Sequence, residues 1–298
     1  MHWTYHLKLG LVISAFWPMT ISAKDISLAA SSKWAIDYAD DSCRLMRTFG
    51  TDPSPLLLQF IRYGPGPFFD LHVIGEPLGS LRPETPARLN FGPGGTFVRS
   101  TPAIGTAGTI PAIFLAGRLD NIDMNSIDRS DFAKMSVEQR LALSKIEPSK
   151  ETSVSTATLV LGAQTFTLGL GSMGPPMEAM RKCTNDLVES WGLDPAEQEA
   201  LICLPQPKSS PGSWLRSGDY PKLSADRGEQ AIIRYRLMVD GAGIVVSCAV
   251  QAAFAKNADF AETTCNILKR RARFEPARTA TGAPVASYYL GKVRWRIG

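Results

Sequence analysis

The sequence predicts an α+β protein in which a β-rich N-terminal domain is followed by a small ββαβ unit built on a three-stranded antiparallel sheet. Three observations predict it. Short alternating apolar runs broken by Gly and Pro clusters fill the first third of the chain, two runs of helical period stand before residue 200, and the last eighty-odd residues show two alternating runs, one helical run and a final alternating run. With 298 residues, 44% of them hydrophobic and 20% charged, the chain has globular composition and the length of two domains.

From Lys24 to about Pro111 the runs Trp34 to Tyr38, Leu56 to Arg62 and Phe68 to Ile74 read as strands, punctuated by Gly64-Pro65-Gly66-Pro67 and Gly92-Pro93-Gly94-Gly95. Ser136 to Ile146 has helical composition. Ala157 to Leu161 and Thr165 to Leu170 flank Gly162-Ala163 as a hairpin. Met180, Cys183, Leu187 and Trp191 recur at spacings that share one face of a helix over Met177 to Trp191, and Asp194-Pro195 supplies an N-cap and a first-turn proline for a short helix after it. Pro205 to Gly212, rich in Pro and Ser, reads as a linker. The expected division is therefore a leader over 1–23, a β-rich domain over 24–204, a linker over 205–212 and a second module over 213–298.

Charge divides at the same place. Residues 213–298 hold 14 Lys and Arg against 7 Asp and Glu, a formal +7, whereas residues 24–212 hold 17 against 21, a formal −4. Lys8, the apolar run Leu9 to Ile21 and Ile21-Ser22-Ala23 read as a cleaved export signal, so a periplasmic location is expected. The competing reading is an uncleaved inner-membrane anchor; thirteen residues at ~1.5 Å each fall short of a ~30 Å hydrocarbon core. Five cysteines in an oxidising compartment suggest one bridge per module, Cys248 with Cys265 and Cys43 with Cys183, with Cys203 left over. The alternative is buried free thiols.

In the second module Ile233, Tyr235, Leu237 and Val239 point one way while Arg234 and Arg236 point the other. Asp240-Gly241-Ala242-Gly243 turns the chain, and Ile244, Val246, Cys248 and Val250 share a face on the way back. Phe260, Thr264, Ile267, Leu268 and Arg271 then recur at helical spacing, with Asn257 or Asp259 to cap the start and Lys269, Arg270, Arg271 and Arg273 at the end, where cations oppose the helix dipole. The last strand turns Tyr289, Val293, Trp295 and Ile297 to the core and Tyr288, Lys292, Arg294 and Arg296 outward. One helix covers one side of the sheet, so the opposite side collects Arg234, Arg236, Lys292, Arg294 and Arg296. That cationic face is either a solvated surface or a dock for anionic peptide, polymer or lipid. Cys248 faces the helix and Cys265 lies beside Thr264 and Leu268, which makes a strand-to-helix bridge reasonable.

Gly218-Asp219-Tyr220-Pro221, Gly228, Val239-Asp240 with Gly243 and Val246, Phe274-Glu275-Pro276-Ala277-Arg278, Gly282, Pro284-Val285 and the closing Val293-Arg294-Trp295 follow one another in an order that resembles the TonB C-terminal domain, over roughly residues 214–297. Gln230 stands where a second glycine is usual, and Ala252-Ala253-Phe254 replaces a small polar turn. The resemblance implies a periplasmic module that adds a strand from an outer-membrane receptor, or another envelope protein, to its sheet edge, where unpaired N–H and C=O groups await a partner. The edge strand so implied is Ser287 to Ile297, with Ser287, Tyr288, Tyr289, Leu290, Lys292, Val293 and Arg294 as the peptide-contacting residues. A linker of about eight residues reaches at most ~28 Å, which favours a recognition module over a long-reach energy transducer.

Nothing in the sequence spells catalysis. His72 is the sole histidine past the leader and sits in an alternating apolar run, and the cysteines have no C-x-x-C spacing, so neither a metal nor a cofactor is expected. A hydrolase built on His72 is the enzymatic alternative. Gly169-Leu170-Gly171-Ser172-Met173-Gly174 spells a dinucleotide fingerprint between a strand and a helix, yet that strand belongs to a hairpin and Pro175-Pro176 intervenes, so a plain glycine-rich turn is expected. The basic cluster near Arg271 has a structural reason, and no nucleic-acid partner is expected.

Overall fold

The computed structural model describes residues 24–297 apart from 93, 95 and 128–133. The leader segment, with His2 and His6, lies outside the described residues. Strands β1 (Lys24–Leu28), β2 (Ala35–Ala39), β3 (Ser42–Phe49), β4 (Leu56–Arg62) and β5 (Phe69–Ile74) come first, then β6 (Ala87–Phe91), β7 (Val98–Ser100), β8 (Ala103–Ala107) and β9 (Ile110–Gly117). Helices α1 (Val137–Ser144) and α2 (Pro148–Ser153) precede the hairpin of β10 (Thr156–Leu161) and β11 (Gln164–Gly169), and α3 (Gly174–Ser190) and α4 (Pro195–Glu199) follow. An antiparallel six-stranded sheet runs β2-β3-β4-β5-β9-β8, and a five-stranded sheet runs β1-β11-β10-β6-β7 with only β1 parallel to its neighbour.

Alternation decides which faces meet. Leu56, Leu58 and Phe60 of β4 and Phe69, Leu71 and Val73 of β5 are buried on one side, whereas the residues between them include Gln59, Asp70 and His72. The buried faces of both sheets form one core: the Phe91 ring of β6 lies 5.9 Å from that of Phe60 and 5.6 Å from that of Phe69. Helix α3 buries Met180, Cys183 and Leu187 of the stripe its period predicts, with Met177 besides and Trp191 partly buried just past its end, and the Cys43–Cys183 disulfide ties it to β3. Asp194 caps α4 by accepting from the backbone N–H groups of Ala196 and Glu197. The glycine-rich turn before α3 serves packing: a Cβ on Gly174 would lie 2.6 Å from Thr152 Oγ1, and the Leu170 carbonyl accepts from Arg47 and Trp34. Its strand, β11, is the second arm of the antiparallel hairpin with β10.

The remainder holds β12 (Gln206–Pro207), α5 (Lys222–Asp226), β13 (Ala231–Val239), β14 (Val245–Phe254), α6 (Asp259–Arg271), β15 (Phe274–Glu275), β16 (Ala277–Arg278), β17 (Pro284–Val285) and β18 (Ser287–Trp295). β13 is central in an antiparallel sheet ordered β14-β13-β18. Ile233, Tyr235, Leu237 and Val239 are buried toward α6 and Trp214, with Phe260, Ile267, Leu268, Phe274 and Trp295 completing the core. The Cys248–Cys265 disulfide joins β14 to α6. The turn after β13 needs glycine at 243, where φ is +80° and a Cβ would sit 1.9 Å from the Phe274 carbonyl oxygen. Ala258 occupies the cap position of α6, and Asn257 accepts from the Asp259 N–H just inside it. At the other end Arg271 donates to both carboxylate oxygens of Asp219 and to the Trp214 carbonyl, so one member of the basic cluster stitches the helix to the preceding segment.

The segment expected as a free linker is strapped to the module that follows it. β12 pairs with β15, Lys208 N–H donates to the Arg273 carbonyl, and Cys203 bridges Arg278 through the backbone. Proline and serine there disfavour a helix, but the intervening backbone groups still find an exposed strand to pair with.

Candidate functional site

β18 pairs with β13 along its whole length, from Val239↔Ser287 to Ala231↔Trp295, and ends the sheet. Its period of two places Tyr289 among Trp214, Tyr235 and Phe274, and Val293 and Trp295 in the core, as the sequence predicts, whereas Ile297, expected in the core, lies past the end of β18 and is exposed, and Tyr288, expected outward, is buried. Gly291 lets the Tyr235 ring lie flat across the strand, since a Cβ there would come within 2.3 Å of it.

The opposite face does not meet solvent throughout, because the N-terminal part packs against it. Arg234 pairs with Asp70 of β5, with the side chains 19% and 14% exposed, and lies 4.7 Å from the Tyr63 ring centroid. Arg236 lies 4.4 Å over the Trp191 ring and 3.9 Å from Asp41. Burial lowers the Arg236 pKa, an effect Asp41 opposes. Gln251 of β14 donates to the Tyr63 carbonyl at 2.7 Å. Tyr288 stacks edge-on against Trp191 at 4.9 Å, and burial raises its phenol pKa. Leu290 rests on Gly64, where a Cβ would lie 2.8 Å from the leucine methyl. Ser287 donates to Gln198 of α4 at 2.6 Å, and the same glutamine donates to the Ala286 carbonyl.

The inner half of the predicted cationic face is thus an intrachain junction. The physical reason is charge and aromatic complementarity: a −4 body offers Asp41, Asp70, Tyr63 and Trp191 to a +7 module. Lys292, Arg294 and Arg296 remain exposed. Sequence reasoning missed Asp70 and Trp191 as partners of the arginines. The signals were an acidic residue at an outward position of an apolar strand and a tryptophan at the very end of α3's apolar stripe.

Residues of both parts, Arg234 among them, line a half-open cleft of about 1320 Å³. Arg88, Arg99, Arg234, Lys292 and Arg294 line it, with His72 on its wall. The His72 imidazole meets Phe114 edge-on at 4.7 Å, and burial lowers its pKa while Asp70 opposes the shift. Among the described residues no group of three or more His, Cys, Asp or Glu is placed to hold a metal ion, and no helix is long and apolar enough to cross a membrane.

Residues 217–297 match the family model for the C-terminal region of the Gram-negative bacterial TonB protein. No curated protein and no solved structure matches the chain. The matched range begins just before α5, runs through the β14-β13-β18 sheet and its covering helix, and stops two residues past β18. The stretch from Ser217 to Ile297 is therefore similar to the C-terminal domain of the TonB family.

Proposed function

We propose that the protein is an exported envelope protein of the TonB family that works in the periplasm as a binding protein rather than an enzyme. Its C-terminal module, 213–298, takes an extended peptide from an outer-membrane receptor or another envelope protein by strand addition at β18. The observation that carries this reading is that β18 hydrogen-bonds to β13 on one edge and has no strand neighbour on the other among the described residues. Each added main-chain hydrogen bond contributes roughly 0.5–1.5 kcal/mol net, so several in a row give useful affinity without demanding a particular sequence. Gln198, Trp191 and Gly64 already engage Ser287, Tyr288 and Leu290, which leaves Gly291 to Arg294 as the accessible stretch.

Amide hydrogen exchange on the full chain, with and without peptides from the plug segments of outer-membrane receptors, tests the reading. Slowed exchange centred on Gly291 to Arg294 is expected. Exchange along β18 that stays unchanged across the peptide panel overturns it.

A further inference from the structure

Two like-charge pairs line the cleft, and the Arg88 guanidinium lies 5.4 Å over the Phe97 ring. On one wall Arg88 of β6 is the direct cross-strand partner of Arg99 of β7; on the other Arg234 of β13 is the direct partner of Lys292 of β18, with Arg294 two residues further along. Like charges directly opposite on a sheet destabilise it. Among the described residues no carboxylate pairs with Arg88, Arg99, Lys292 or Arg294. The lining carboxylates are Asp70, which Arg234 holds, together with Glu84 and Asp123. Burial, and then Arg234, lowers the Lys292 pKa. An anion entering between the walls would relieve both pairs at once.

The shape of the cleft selects the kind of anion. About 1320 Å³ exceeds a small-molecule pocket of roughly 300–1,000 Å³ and suits an elongated ligand. All of β7 lines it, and β7 ends its sheet, so one row of backbone groups has no strand partner among the described residues. A peptide chain can use that row, whereas a glycan cannot complete a ladder. Phe254, 49% exposed, adds an apolar contact on the module's side.

We propose that the cleft between β6–β7 and β13–β18 binds an extended acidic peptide, with carboxylates at alternate positions directed at Arg88 and Arg99 on one wall and Lys292 and Arg294 on the other. This site shares Lys292 and Arg294 with the strand proposed for addition and differs from it in the second wall, Arg88 and Arg99, which belongs to the N-terminal part.

Fluorescence anisotropy of the full chain with a labelled peptide of four Glu-Thr repeats tests it, using the Lys-Thr peptide and a galacturonate octamer as comparison ligands. The Glu-Thr peptide should bind, weaken as salt is raised from 0.05 to 0.5 M, and lose about tenfold in affinity in Arg88→Gln/Arg99→Gln. Both arginines are exposed, so the fold should survive, and Arg88→Lys/Arg99→Lys should recover most of the affinity. The proposal falls if the Glu-Thr peptide does not bind, if the Gln pair leaves affinity unchanged, or if the galacturonate binds more tightly than the peptide. Because strand addition is read by β18 amide protection with receptor peptides, either idea can fail while the other stands.

Discussion

The Asp70–Arg234 pair gives the sharpest test of how the two parts are joined. Both side chains are mostly buried, and Lys292 is in register with Arg234, so Asp70→Asn leaves Arg234 without its carboxylate beside a second cation. Removing one partner of a fully buried pair costs about 3–5 kcal/mol. The residual exposure of this pair lowers the expectation to about 2–3 kcal/mol. Arg234→Gln should cost a similar amount, because it strands the carboxylate instead. The double variant should cost clearly less than the sum, with a coupling of about 2 kcal/mol. Urea unfolding followed by tryptophan fluorescence is the assay, since Trp191 lies at the junction against Tyr288 and Arg236. A coupling below about 0.5 kcal/mol, the range of exposed ion pairs, would refute the reasoning and place the weight of the junction on Trp191, Tyr288 and Leu290.

Other outcomes follow from the same geometry. Gly243→Ala should lose at least about 3 kcal/mol in chemical denaturation, because it combines a positive φ with a backbone clash at Phe274 that no side-chain rotation relieves; a loss under about 1 kcal/mol would contradict it. Cys43→Ser/Cys183→Ser, which opens a loop of 140 residues, should cost about 5 kcal/mol by loop entropy, against about 3 kcal/mol for Cys248→Ser/Cys265→Ser with 17; denaturation curves giving the reverse order would count against the chain-entropy account here. Burial lowers the His72 pKa below 6.5, so on acidification the unfolded chain takes up a proton before the folded one. Stability from this group is fully present above pH 6.5 and declines as pH falls toward the folded value, and His72→Gln should flatten part of that decline in urea midpoints between pH 7 and 5.

Periodicity made most of the C-terminal module readable. The parity of β18 follows from its alternation, which sends Tyr289, Val293 and Trp295 inward and Lys292 and Arg294 outward, and α6 and its bridge to β14 follow from the spacing of Phe260, Thr264, Ile267 and Leu268. The stripe of α3 and the cap of α4 were legible for the same local reasons. The strap over Gln206 to Lys208 was not, because its partner lies about seventy residues away at β15 and no local pattern announces a two-residue pairing.

By itself, then, the sequence determined which faces of β13, β18, α3 and α6 are apolar and that a basic module follows an acidic one, since these are set by neighbours within a few residues; at the start of β14 it did not, because a bulge opposite Met238 and Val239 buries Val245 and leaves Ile244 and Val246 exposed. Only the tertiary structure decided what meets the cationic face. Alternation says that Arg234 and Arg236 point away from their own core, yet it is blind to a second body bringing Asp70, Tyr63 and Trp191 against them. The same docking brings Arg88, Arg99, Lys292 and Arg294 onto the lining of one cleft, a meeting of strands about 200 residues apart that depends on long-range packing and not on the local period.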